Sequence, residues 1–410
     1  MSDDASRIME RLAALARISD EPEQLTRTYG SPAMRRANDL VGGWMREAGM
    51  TVSEDAIGNL IGRFQGARAG AKTFLLGSHL DTVRNAGAFD GPLGVVLAIE
   101  CAAKLHAEKS RLPFALEVIG FCDEEGVRFQ STYLGSRALA GTLTEADLQR
   151  VDENGVSLAD AIRQFGGSPE KISAAKCNPN KLLGYAEVHI EQGPVLEQNN
   201  LAVGIVTAIA GQSRVKIRFT GKAGHAGTTP MDMRRDALCA AAEFISAVEA
   251  HAHSAAGLVA TVGQIQVKPG ASNVIPGEVN LTLDVRHQTN SVRLGAAQCL
   301  QSTAEDLGRL RGIFVSWEVV QETASVPCQP ELTALLALAA QGHQSEVLEL
   351  PSGAGHDAAV LGKITPAVML FVQCRDGLSH HPDESARVKD VAVALDVMND
   401  FLQLLAEKHA

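Results

Sequence analysis

Five short clusters place an imidazole or a carboxylate beside glycine, a bend or the end of an apolar run. They are Gly77-Ser78-His79-Leu80-Asp81-Thr82, Ala88-Phe89-Asp90-Gly91, Asp123-Glu124-Glu125-Gly126, His189-Ile190-Glu191-Gln192-Gly193 and Ser379-His380-His381-Pro382. Groups of these types hold divalent cations when they converge, and two ions sharing a carboxylate make a common hydrolytic centre. Metal-assisted hydrolysis is the chemistry to expect.

Each cluster alone has an ordinary alternative. His79 closes a strand-like run, and Asp81, two residues on, is placed to fix the tautomer of its ring. Asp90 precedes Gly91-Pro92 at the mouth of a helix and reads as well as a helix cap. Glu124 and Glu125 are adjacent, so on extended backbone they point opposite ways, one to metal and one to a reacting water. His380 and His381 are equivalent by spacing. It is their joint occurrence at strand ends that points to a site.

Apolar runs over 73–77, 114–122 and 184–190 read as buried strands, and 92–105 as a helix with proline in its first turn. This alternation predicts an α/β fold: a mixed, mostly parallel sheet with helices on both faces. In such sheets polar chemistry collects at the carboxyl ends of strands. Residues 213–319 read instead as β-α-β-β-α-β, an inserted ferredoxin-like α+β domain. The expected division is a catalytic domain of 1–208 and 329–410 and an inserted lid and dimerisation domain of 209–328.

The 410 residues are 45% apolar and 21% charged, with a net charge of -11. That balance fits a soluble globular protein of one large or two smaller domains. No Lys/Arg-rich run with interleaved aromatics suggests a nucleic-acid surface. The acidic start, Met1-Ser2-Asp3-Asp4, lacks the features of a signal peptide, and no apolar run reaches the length of a membrane span. Seven scattered cysteines without a CxxC pair point to the reduced cytoplasm.

From about Met9 to Leu405 the chain resembles the amidase/hydantoinase/carbamoylase branch of the dinuclear metal-dependent aminoacylase and carboxypeptidase superfamily. The resemblance rests on GSHLDTV, FDGPLGV, DEEGVRF, HIEQGPVLE, GHAGTTPM, SNVIPGEV, SGAGHDA and GLSHHPDE, in family order. It implies two divalent ions per subunit, zinc or manganese first, with cobalt or nickel as further candidates. It makes Asp90 the bridging carboxylate, His79 and His189 terminal ligands on separate metals, Glu125 a terminal carboxylate and His380 the last ligand. Glu124 resembles the general acid/base. Peptidase relatives usually carry a carboxylate where His189 stands, so that histidine favours the amidohydrolases. Two positions depart from the pattern: Gly87-Ala88 replaces a glycine pair, and His381 stands where relatives often have Asn or Ser.

Arg286 and Asn273 pair a guanidinium fork with an amide, a good cradle for a carboxylate. By resemblance they bind the substrate carboxylate, assisted by Gln192 and the backbone of Gly355. His356 and Asp357 would support the pocket. His225, among small residues, resembles a histidine delivered across a homodimer interface to stabilise an oxyanion. The implied reaction is hydrolysis of the ureido C–N bond of a small carboxylate substrate, allantoate or an N-carbamoyl-L-amino acid. TTPMDMRRDA and FDGPLGV lean toward allantoate. An aminoacylase or dipeptidase is the enzymatic alternative, and a metal-dead binding protein the non-enzymatic one.

Overall fold

The computed structural model describes residues 3–409; Met1 and Ser2, which open the acidic N-terminal stretch, and Ala410 lie outside the described residues. The chain divides into two compact units, Met1–Thr207 with Cys328–Ala410, and Ala208–Pro327. Its strands begin with β1 (Thr51–Glu54), β2 (Leu60–Phe64), β3 (Thr73–His79), β4 (Ala115–Phe121), β5 (Leu182–Ile190) and β6 (Val203–Ile209). Next come β7 (Gly211–Thr220), β8 (Gly224–His225), β9 (Val259–Lys268), β10 (Val274–Ile275), β11 (Glu278–His287) and β12 (Phe314–Thr323). The chain returns through β13 (Val326–Pro327), β14 (Glu349–Ser352) and β15 (Ala367–Val372).

The main sheet runs β1-β2-β4-β3-β5-β15-β6, with β14 also paired to β6. Its centre is parallel: β3 with β4 and β5, and β15 with β5. Its flanks are antiparallel, β1 with β2, β2 with β4, and β6 with β15. Every residue of β3 and of β15 is buried, as central strands covered on both faces require. The helix Pro92–Ala107 packs on β3 and β5, and the short helix Ala358–Leu361 on β5 and β15. A Cβ at Gly94 would lie 2.2 Å from the Val188 carbonyl, so glycine sets how close the first of these helices comes to the sheet. Proline at its first turn starts it without an unpaired N–H. That fixes where Asp90, just ahead of the helix, stands relative to the strand ends.

In the second unit the sheet order is β12-β7-β11-β9, with every pair antiparallel. Along β7 and β11 burial alternates strictly. Val215, Ile217, Phe219, Val279, Leu281 and Leu283 form one apolar face with Phe244 and Leu300 of helices Ala237–Ser254 and Asn290–Arg311. Alternating strands and two helices with apolar stripes give this β-α-β-β-α-β unit its own core. No helix among the described residues is long and apolar enough to cross a membrane.

Candidate metal centre

The parallel register builds the site. Leu76 pairs with Ala186 between β3 and β5, so three further residues along each strand bring His79 level with His189. Their ring centroids lie 5.9 Å apart. His79 also pairs with Phe121, the last residue of β4, which puts the acidic cluster just beyond it. Gly91 has φ 85°, and a Cβ there would be 2.5 Å from the His79 ring. Only glycine lets the Asp90 loop fold over the imidazole.

Asp90 is the hub. His189 Nε2 lies 3.0 Å and His79 Nε2 3.6 Å from its Oδ1. His380 Nε2 lies 3.1 Å from Oδ2 and 3.4 Å from Glu125 Oε1. Two sets thus share Asp90, His79–Asp90–His189 and Asp90–Glu125–His380, each with ligand atoms within 4.8 Å of one another. The resemblance implied that His79 and His189 serve separate metals, whereas the structure sets both against one oxygen of Asp90. Neighbouring parallel strands at matching register put both imidazoles on the same carboxylate oxygen. The alternatives at the C-terminal cluster separate too: His381 accepts from the Asp383 N–H through Nδ1 at 3.2 Å, and His380 alone reaches Asp90.

The donor atoms suit a cation. His79 Nδ1 is 3.0 Å from the Asp81 carbonyl and His189 Nδ1 2.9 Å from the Ile190 carbonyl. A carbonyl only accepts, so each ring keeps a proton at Nδ1 and turns Nε2 toward the Asp90 carboxylate, where it meets either a proton or a cation. Electron-rich atoms facing each other at these distances call for a positive charge between them. Burial opposes charge on His79, but Asp81 and Asp90 raise its pKa well above the usual value. Burial would likewise raise Asp90, yet His189, His380 and His79 hold it well below the usual carboxylate range. His380, hydrogen-bonded to Asp90 and Glu125, is pushed up to about 10. A mixed imidazole and carboxylate set of this kind fits Zn²⁺, Mn²⁺ and neighbouring first-row ions.

The two glutamates sit on a bend rather than on extended backbone, and both offer oxygens within 4.8 Å of His79 with one another. Asp81 sets this bend. Its Oδ1 accepts from Glu124 N at 3.0 Å and its Oδ2 from Glu125 N at 3.2 Å, while the His79 Nδ1 lies 3.0 Å from its carbonyl and 3.5 Å from Oδ1. Asp81 thus meets the His79 Nδ1 with its backbone oxygen nearest, and its carboxylate also places the glutamates. Burial and the Glu125 charge push the buried Glu124 well above the usual carboxylate range.

Glu384, which sequence reasoning missed, clamps the Asp90 loop. Its Oε1 accepts from Phe89 N at 2.8 Å and Asp90 N at 3.0 Å, and Oε2 is 3.0 Å from Ser379 Oγ. A Cβ at Gly87 would come within 2.3 Å of Glu384. Gly87 is thus the glycine this loop requires, and half-buried Ala88 is accommodated. The only signal for Glu384 was its place in the HHPDE block, where nothing separated it from Asp383.

Gln192, at φ 57°, donates from Nε2 to Asp90 Oδ2 at 3.1 Å and to Ser379 Oγ at 3.0 Å. The opposite amide orientation would set Oε1 against a carboxylate, so Asp90 fixes which end faces it. The buried Oε1 has no partner among the described residues. Beside it, His356 meets His189 edge to face at 4.4 Å between ring centroids and shares a 2.8 Å hydrogen bond with Ser352. Burial and the neighbouring imidazoles push His356 well below its usual pKa, keeping it neutral. Asp357 accepts from Ser136, and Ala358 N donates to Glu187 at 2.9 Å, which pins this loop to β5. Gly355 is half-buried, and a Cβ there would collide with the Tyr133 hydroxyl at 1.8 Å.

The remaining expected residues lie in the second unit. Exposed His225 is on the short β8/β10 ladder opposite Val274, and Ala226 N donates to the Asn273 carbonyl at 2.9 Å. His225 Nδ1 accepts from Gly227 N at 3.1 Å, so the neutral ring carries its proton at Nε2, its outer nitrogen. Arg286 is elsewhere. Glu278 pairs with Thr220 near that ladder, whereas Arg286 pairs with Gln212 at the other end of β11. Eight residues of strand separate these points, roughly 27 Å. Arg286 also donates through Nε and Nη2 to the two oxygens of Asp284 at 2.9 and 3.0 Å. The single cradle expected from Arg286 and Asn273 does not form within one copy of this unit, because the extended strand holds them apart.

The model of peptidase family M20/M25/M40 matches residues 75–404. An N-carbamoyl-L-amino acid amidohydrolase of Geobacillus stearothermophilus is 42% identical, over 98% of each chain. An allantoate deiminase of Arabidopsis thaliana is 39% identical, over 96% of this chain and 81% of its own. The crystal structure of an amidase of the hydantoinase/carbamoylase family from Burkholderia multivorans superposes with a TM-score of 0.93 at 32% identity, covering 98% of each chain.

Proposed function

The chain belongs to peptidase family M20/M25/M40, as a hydrolase of non-peptide carbon–nitrogen bonds resembling the hydantoinase/carbamoylase amidases, and from that premise we propose that it cleaves the ureido C–N bond of a small carboxylic acid, an N-carbamoyl-L-amino acid or allantoate. The observation that carries this reading is Asp90, with two imidazoles on one oxygen, a third on the other, and the buried Glu124 beside them. His189 in place of a carboxylate favours an amidohydrolase over a peptidase. Relatives named for each of the two substrates match nearly equally, so the shared ureido acid is the substrate class.

Two divalent ions, held by Asp90 with His79 and His189 on one side and with Glu125 and His380 on the other, would supply electrophilic activation of water and of the ureido carbonyl. Glu124 takes the proton of the attacking water and returns it to the leaving nitrogen. His225 donates its Nε2–H to the oxygen on which negative charge develops. The carbamate released breaks down to carbon dioxide and ammonia. Seven free thiols fit a reduced compartment, the cytoplasm.

The test is a panel of allantoate, N-carbamoyl-L-amino acids, N-carbamoyl-β-alanine, N-acetyl amino acids, a dipeptide and the neutral amides of the ureido acids. Metal-loaded protein should release ammonia from one or more ureido acids far faster than amine from any acyl compound, and the neutral amides should react poorly. Amine release from the acyl compounds or the dipeptide without turnover of any ureido acid would make this an aminoacylase or peptidase.

The separation of Arg286 from Asn273 supports a site shared by two copies of the chain. If both bind one substrate, they come from different subunits, and a homodimer with His225 supplied across the interface meets that condition. A His225→Ala chain and a Glu124→Gln chain, each inactive alone, should then regain activity when re-associated. In the heterodimer one site of the two holds both groups intact, so up to about half of the sites work. Verified heterodimers without recovered activity would place His225 at its own subunit's site or outside catalysis.

A further inference from the structure

We propose that the Tyr133 hydroxyl is a hydrogen-bond donor to the bound substrate at the group undergoing hydrolysis, beside Glu124. Tyr133 has φ 63°, in the left-handed region that a bulky aromatic residue rarely occupies. Such strain persists only where the surroundings over-determine it. Here the Tyr133 N–H donates to the Glu124 carbonyl at 3.0 Å and the Leu134 N–H to the Asp123 carbonyl at 2.8 Å. Gly126, at φ 66°, closes the same turn, since a Cβ there would be 2.7 Å from the Ser131–Thr132 peptide. The residue is thereby fastened to the backbone that carries the two glutamates.

The side chain then reaches Gly355. A methyl group at that glycine would overlap the phenolic oxygen, so the absence of a side chain at 355 makes room for this hydroxyl. Tyr29 and Tyr185, the other two tyrosines, donate to the carbonyls of Ile57 and Gly77 at 2.7 and 3.0 Å. The Tyr133 hydroxyl has no such partner among the described residues, although its residue is half-buried. A phenylalanine would pack as well without a donor to satisfy. Burial and the charges of Glu124, Asp357, Glu125 and Glu187 raise its pKa far above the usual value, so it stays protonated and can donate to a substrate oxygen. This inference rests on the reading that Glu124 and Gly355 face the substrate.

The test uses Tyr133→Phe, which keeps the ring and its packing. On whichever amide the wild type hydrolyses fastest, kcat should fall about 10²-fold or more, with metal content and melting temperature unchanged. A wrong substrate class leaves this comparison valid, because the substrate is chosen by wild-type turnover. A second readout needs no folded Tyr133 variant. With 3-fluorotyrosine incorporated at the three tyrosines, adding that substrate to slow Glu124→Gln protein should shift one ¹⁹F resonance. Tyr29→Phe and Tyr185→Phe should each leave the shifting signal in place. A kcat within twofold of wild type, or an unmoved Tyr133 resonance at saturating substrate, would overturn the proposal.

Discussion

Glu124→Gln is expected to lower kcat by about 10²-fold or more, since general acid–base catalysis contributes at least that much, corresponding to roughly 2.7 kcal/mol of barrier. The substitution keeps size and shape and removes only the ability to take up a proton and hand it back. Its loop should be undisturbed, because Asp81 holds the backbone N–H groups of both glutamates rather than their side chains. Metal content should therefore stay at the wild-type level. Glu125→Gln should behave in the opposite sense, since its carboxylate shares a candidate ligand set with Asp90 and His380. It should lose metal first and activity as a consequence. Kinetics and metal analysis on the two proteins check this together. If Glu124→Gln loses metal while Glu125→Gln keeps it, the two roles have been exchanged.

Asp90→Ala should be more severe, removing activity by at least about 10³-fold, as loss of several kcal/mol of charge stabilisation implies. Both carboxylate oxygens are engaged, one by His79 and His189, the other by His380, Gln192 and Ser379. Both ions should be lost at once. Asp90→Asn, which retains the shape, should show the same loss if charge is what matters. Single-ligand variants should fall into two classes: His79→Ala and His189→Ala weaken one ion, Glu125→Ala and His380→Ala the other. Metal analysis under limiting metal reads this directly, and a pattern that sorts His79 with His380 would reject the grouping.

The elements that carry the site could be read locally. Buried runs such as the one ending at Phe121 announce central strands, and strict alternation along β7 and β11 announces a sheet with one covered face. The residues that converge on Asp90 were singled out by the joint occurrence of imidazoles and carboxylates at several strand ends, since each cluster alone has an ordinary alternative. What escaped was set by register and by distance along the chain. That His79 and His189 share one oxygen follows from how β3 aligns with β5, which no local pattern encodes. Glu384 acts 294 residues away from Asp90, and Arg286 is separated from Asn273 by a strand whose length matters only once it is paired. Tyr133 escaped for another reason: a left-handed aromatic is imposed by the fold around it and leaves no signature in sequence.

Metal content measured against turnover tests the proposed dependence on two divalent ions most directly. Protein stripped exhaustively with chelator, verified metal-free and assayed on the preferred ureido acid should be inactive, and titration with Zn²⁺ or Mn²⁺ should restore activity up to two ions per chain. Full turnover by the verified metal-free protein would contradict the account.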